Sequence, residues 1–216
     1  MDPREQVLFV LQVVMALGPI AIYFLGLGLA NSQARPFLMS ARRDFTLLAS
    51  AFIPLILVPA LALAQQGHGR VAAGAVFAVT ALFVAMLPGR GGSWVVYNVG
   101  AGQLRRLLER ACRRQGWRSR VDGGEMVVEP GGLRVGLNQI SWLRNATLDL
   151  ACIQDQSLRD QLLGAFREEL SRESMLPSPT GASLVVIGAS LLGLPMWYLF
   201  HNMDLIVDVV RQILFA

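Results

Sequence analysis

Three groups of residues have the types and spacing to do chemistry. The first is Gly100 and Gly102, in the run Val95-Val96-Tyr97-Asn98-Val99-Gly100-Ala101-Gly102. A strand, then G-x-G, then a helix is the order of a dinucleotide-binding turn, whose glycines let a pyrophosphate approach a helix N-terminus. The third glycine of that fingerprint falls at position 105, where Arg105 stands. A glycine-rich helix start is the simpler reading, and no cofactor is expected. The second group is His201, Asp204 and Asp208, which share one helical stripe. An imidazole and two carboxylates so placed can ligate a metal. The same stripe is also the polar edge of an amphipathic helix lying in a membrane interface, opposite Leu205, Ile206, Val209 and Val210, and this is the preferred reading.

The third group is cationic. Arg105, Arg106, Arg110, Arg113 and Arg114 crowd ten positions around a lone Glu109. Such a face suits an acidic protein partner or an anionic lipid surface, and a merely solvated face has the same composition. Nucleic acid is disfavoured: residues 89–178 carry 13 arginines against 10 acids, with no recognisable nucleic-acid motif. That segment has no histidine, and no Ser, Cys or carboxylate in it stands beside an obvious base. Cys112 and Cys152 form no C-x-x-C and read as buried reduced thiols. Asn145-Ala146-Thr147 matches a glycosylation sequon by short pattern alone.

Composition says what must position these residues. Hydrophobic residues make up 54% of the 216-residue chain and charged residues 16%, with a mean hydropathy of +0.49. Soluble domains carry roughly a quarter charged residues, so an ordinary soluble enzyme and a disordered chain are excluded. All 19 basic residues are arginine. Four stretches, 6–34, 45–69, 71–89 and 174–200, lack Asp, Glu and Arg. Each is long enough for the ~20 helical residues that cross a bilayer core. The leader Met1-Asp2-Pro3-Arg4-Glu5 is not net basic, and the first apolar run exceeds the ~15 residues of a signal peptide core, so it reads as a span. Pro19, Pro54, Pro59 and Pro195 fall inside the spans and predict kinks. In the third span Gly74, Ala78, Ala81 and Ala85 form a small-residue seam for helix packing, within the chain or in a homo-oligomer.

The expected fold is therefore a membrane bundle of four transmembrane helices with a small two-layer α+β domain inserted between the third and fourth. Three helices occupy 1–88, the domain 89–178, and the fourth span with an interfacial helix 179–216. Within the domain, 94–99 alternates as a strand. Leu104, Leu107, Leu108, Ala111 and Cys112 make an amphipathic helix ended by Gly116. Strands at 125–129 and 133–137 flank a Pro-Gly-Gly hairpin, and 142–153 alternates again. Asp155 caps a second helix with Leu158, Leu162, Leu163, Phe166 and Leu170 on its core face.

Flanking arginines orient the chain. Arg35, Arg42, Arg43, Arg90, Arg105, Arg106, Arg167 and Arg172 lie on the side of the insert, against Arg4, Arg70 and Arg211 on the other. The bias puts the insert in the cytoplasm and both termini outside, in a membrane of the bacterial inner type. Arg35, Arg42, Arg43 and Asp44, in the 31–44 connection, are expected to anchor the second span or dock to the insert. No ionisable group lies at the centre of any span, which disfavours a proton- or ion-coupled carrier. The leading expectation is a non-enzymatic accessory or scaffold subunit binding a protein partner or the lipid surface. The alternative is a small-solute transporter or channel component, and a nucleotide-using enzyme comes last.

Overall fold

The structure, a computed structural model, describes residues 3–89, 92–122, 125–129, 133–140, 145–150, 153, 155–174, 178–207 and 211. Four of its helices are long and apolar enough to cross a membrane: α1 (Pro3–Ser32), α2 (Ala41–Gln65), α3 (Gly69–Met86) and α6 (Pro179–His201). All four prolines named above lie inside these helices. The chain forms two compact units. One holds Met1–Gly26, Leu47–Met86 and Leu184–Ala216, the other Leu27–Thr46 and Leu87–Ser183.

In the first unit, α6 lies close against α1. A Cβ on Gly188 would sit 2.8 Å from the Ala21 carbonyl oxygen and 2.8 Å from Leu25 Cγ, so only glycine permits this approach. The Tyr198 hydroxyl donates to Gln6 Oε1 at 3.0 Å. The close small-residue packing is thus made by α6. On α3, Gly74, Ala78, Ala81 and Ala85 are exposed, and nothing lies within 4 Å of a Cβ placed on Gly74. Ala72 is buried, while Phe77 and Val84 point outward.

The second unit is the α+β body. Its strands are β1 (Phe37–Ser40), β2 (Ser93–Tyr97), β3 (Arg118–Asp122), β4 (Glu125–Glu129), β5 (Leu133–Ile140) and β6 (Asn145–Asp149). They form one sheet in the order β1-β2-β6-β5-β4-β3, and every neighbouring pair is antiparallel. Helices α4 (Ala101–Arg114) and α5 (Gln156–Arg172) cover one face. Alternation in the strands puts Val96, Met126, Val128, Val135 and Leu148 beneath Leu104, Leu107, Leu108, Leu162 and Phe166 in one dry core. Gly116, at φ 74°, ends α4, because a left-handed residue after the helix costs least without a Cβ. Asp155 Oδ1 accepts the Ser157 and Leu158 amides at 2.8 and 3.3 Å and so starts α5.

The expected order of strand, helix, meander and helix is present, with one addition from outside the insert. The connection between the first two apolar helices is not simply a loop: its Phe37–Ser40 segment is the edge strand of the sheet, with Phe37 opposite Tyr97 and Ser40 opposite Trp94. Four residues with no alternation carry no strand signal of their own, and pairing with β2 creates the strand. Of the expected 142–153 strand, β6 covers 145–149, with 142–144 and 151–152 outside the described residues, and β5 runs three residues further than the pattern indicated.

Candidate interaction surface

The apolar stripe of α4 is consumed by the core, so its arginines project from the opposite side. There they meet α5. Arg114 divides its fork between two carboxylates, Nη1 to Glu169 Oε1 at 2.9 Å and Nη2 to Glu168 Oε1 at 3.3 Å. Arg110 Nη2 lies 2.6 Å from Glu173 Oε2, and its Nε 3.8 Å from Glu169 Oε2. Arg172 also bonds Glu168, at 2.6 Å. Within α4, Arg105 and Arg113 reach Glu109 at 3.1 and 3.9 Å. Glu169 is the anchor, with only 9% of its side chain exposed. It falls three residues after Phe166, on the core-facing stripe of α5. A carboxylate so placed needs a cation beside it, because an unpaired buried charge is strongly unfavourable.

This corrects the expected free cationic face. Four of the five arginines are tied to carboxylates, and α5 supplies three of those acids, counting Glu173 at its C-cap. Among the described residues only Arg106 of the five has no ion pair. Arg106, Glu109, Arg110, Arg113 and Glu173 line a shallow cleft of about 430 Å³. Arg106 and the 75%-exposed Arg113 present guanidiniums there, and Glu109 and Glu173 hold the flanks. The chemistry this offers is recognition of a carboxylate or phosphate by planar donors.

At the other candidates the geometry is different. Asn98, buried at φ 59°, ends β2 and turns the chain into α4. Its amide donates to Asn31 Oδ1 at 3.1 Å and its Nδ2 to the Gln33 carbonyl at 2.8 Å. Asn31 is itself fully buried, and its carbonyl accepts the Ser178 amide at 3.1 Å. A Cβ on Gly181 would come within 2.9 Å of the Gly28 carbonyl oxygen, so backbones meet here too. The turn before α4 thus fastens the end of α1 and the start of α6 to the sheet. The Gly100 amide is taken by Gln103 Oε1 at 3.3 Å, and nothing approaches a Cβ placed on Gly102. With antiparallel neighbours on both sides of β2, the two glycines serve a helix start, and the parallel βαβ context of a dinucleotide site is absent from this turn. This junction was not foreseen: asparagine tolerates the left-handed conformation of a turn, but the partners of Asn98 lie more than sixty residues away.

His201 is exposed at the end of α6 and stacks on Trp197, with ring centroids 5.6 Å apart and 17° between planes. Asp204 is exposed on the helical stretch that follows, and Asp208 lies outside the described residues. Among the described residues no group of three or more His, Cys, Asp or Glu is placed to hold a metal. Cys112 is a buried free thiol, its pKa pushed up to about 11 by burial and secondarily by Glu109. Cys152 lies outside the described residues. Asn145 of the sequon is buried in β6 between two paired strands.

Arg35 and Arg43 are exposed, and Arg42 is half-buried. Ser40 Oγ accepts the Arg43 amide at 3.4 Å and so caps α2. Asp44 sits in the first turn of α2. The connection reaches the sheet through the backbone of β1. No known protein family, curated protein or solved structure matches the chain.

Proposed function

We propose that this chain is a four-span membrane protein and a non-enzymatic accessory or scaffold subunit, which presents its α+β body to the cytoplasm and binds an acidic protein partner at the α4–α5 cleft. Both termini lie outside. Four helices of spanning length support the membrane assignment, and the arginine bias beside them supports the orientation. The observation that carries the binding assignment is the bracing of Arg110 and Arg114 by Glu169. It ties α4 to α5, and Arg106 and Arg113 line the cleft beside that tie.

A protein partner fits this surface better than lipid. Adsorption to a bilayer grows by about 1 kcal/mol for each available basic group, and four of the five cations here already have carboxylates. No large apolar side chain is exposed on α4 to enter the interface. Glutamates at the edges of the cleft repel a uniformly anionic surface and select a partner whose acids are placed between them.

The test is charge reversal in the full chain purified in mild detergent. Arg106→Glu with Arg113→Glu is expected to remove a stoichiometric partner seen by native mass spectrometry with the wild type, while thermal unfolding stays within about 0.5 kcal/mol. A stable heteromeric complex retained by the double variant overturns the assignment. A wild type that carries only further copies of itself replaces the heteromeric partner with a homo-oligomer.

A further inference from the structure

We propose that the connection between α1 and α2 is a binding surface for the phosphodiester headgroups of anionic lipids, with Arg35 at one end and Arg42 and Arg43 at the other. The inference rests on the membrane reading above and concerns a different surface from the partner cleft. Strand pairing places the three cations. Phe37–Ser40 lies along β2, so Arg35 precedes and Arg42 and Arg43 follow a segment roughly 13 Å long at ~3.3 Å per residue. The near end is fixed again by the Asn98–Gln33 bond, and the far end by the Ser40 cap on α2. Backbone structure places these arginines, with Arg35 and Arg43 exposed and Arg42 half-buried.

Their pairing is the contrast with α4. Among the described residues none of the three has an ion-pair partner. Arg42 and Arg43 also stand in the first turn of α2, at the positive end of its dipole, where cations are disfavoured unless an anion is near. Asp44 in the same turn offsets one charge and leaves an excess of two in the connection.

The neighbouring apolar surface selects lipid over a soluble anion or an acidic protein. Phe37 is 44% exposed between Arg35 and the Arg42–Arg43 pair, its ring 6.1 Å from that of Tyr97. An exposed apolar ring between arginines, at the connection of two helices of spanning length, can enter the acyl boundary while the guanidiniums stay at the headgroups. A free phosphate needs the guanidiniums alone and gains nothing from Phe37.

The experiment uses the full chain in nanodiscs of phosphatidylcholine mixed with phosphatidylglycerol, followed by native mass spectrometry of the lipids retained. The wild type is expected to enrich phosphatidylglycerol, and Arg42→Gln with Arg43→Gln to reduce that enrichment about tenfold. The double lysine variant restores most of it, since charge is the attraction. Phe37→Ser weakens lipid retention and leaves binding of glycerol phosphate in neutral detergent unchanged. Equal retention of both lipids by the wild type, or undiminished enrichment in the glutamine variant, overturns the proposal. So does full displacement by millimolar glycerol phosphate, which identifies a soluble phosphate site. Extraction of the chain from vesicles by alkaline carbonate sinks the membrane reading itself; resistance to carbonate without lipid preference sinks this inference alone.

Discussion

The molecule carries two arginine clusters, and they do different work. On α4 four of the five guanidiniums, all but that of Arg106, are turned onto Glu109, Glu168, Glu169 and Glu173, whereas Arg35, Arg42 and Arg43 between α1 and α2 have no ion-pair partner among the described residues. Counting cations would rank α4 as the stronger anion attractor. Partners reverse the ranking, because a paired guanidinium contributes to fold stability and only a free one attracts at range. The absence of lysine fits this division. Arg114 reaches two carboxylates from two nitrogens of one planar fork, a spread of donors that an ammonium concentrates at one atom.

The strongest way to break the comparison is to remove the acid that both α4 arginines share. Glu169→Ala leaves Arg110 and Arg114 without their most buried counter-charge. The expected loss is about 2 kcal/mol, less than the roughly 3–5 kcal/mol for a fully buried pair, because the arginine side chains are 47% and 38% exposed. Amide hydrogen exchange should show α4 and α5 losing protection together while β1 is unchanged. Unaltered protection of α5 would reduce the network to surface decoration and return the α4 arginines to the same class as Arg42 and Arg43.

Next in size is the junction that seats the second cluster. Asn98 occupies a left-handed backbone conformation and gives its side-chain amide to Gln33. Asn98→Ala loses that bond and pays left-handed strain, an expected ~2 kcal/mol, whereas Asn98→Gly loses the bond alone, about 1 kcal/mol. Faster exchange in β1 than in β4 would be the signature, with the alanine variant worse than the glycine. Equal effects of the two would show that the backbone conformation is not what holds the α1–α2 connection in place.

These two regions also mark what could be read from residues alone. Both α4 and α5 were legible with their ends, since Gly116, Asp155 and the 3.6-residue spacing of Leu104, Leu107, Leu108 and Ala111 are local signals. The four long helices were legible from length and hydropathy. Residues 125–129 and 133–137 were legible as a hairpin, through alternation about Pro-Gly-Gly, whereas the last three residues of β5 were not. β1 was not legible, because four residues acquire their strand identity from β2, more than fifty positions away. The arginine pairing was hidden for the same reason: Glu169 meets Arg114 across 55 residues. Its one local sign was a glutamate on the stripe of Phe166 and Leu170. The small-residue seam of α3 is exposed, since periodicity reports a face suited to close approach and not its partner, and within this chain Gly181 and Gly188 of α6 make close approaches.

The finest test applies one substitution to both clusters. Arg→Gln keeps much of the side-chain length and hydrogen-bonding capacity and removes the charge. At position 114 it strands Glu168 and Glu169 from their shared fork, so unfolding of the full chain in neutral detergent should come about 1 kcal/mol sooner. At position 43 no carboxylate among the described residues is deprived, and the Ser40 cap uses the backbone amide, which glutamine retains. Stability there should stay within about 0.5 kcal/mol, with the sign favouring glutamine, because a cation leaves the positive end of α2. A loss at position 43 equal to that at 114 would mean that the connecting arginines are structural as well, and the distinction between braced and available charge would fail at its weakest point.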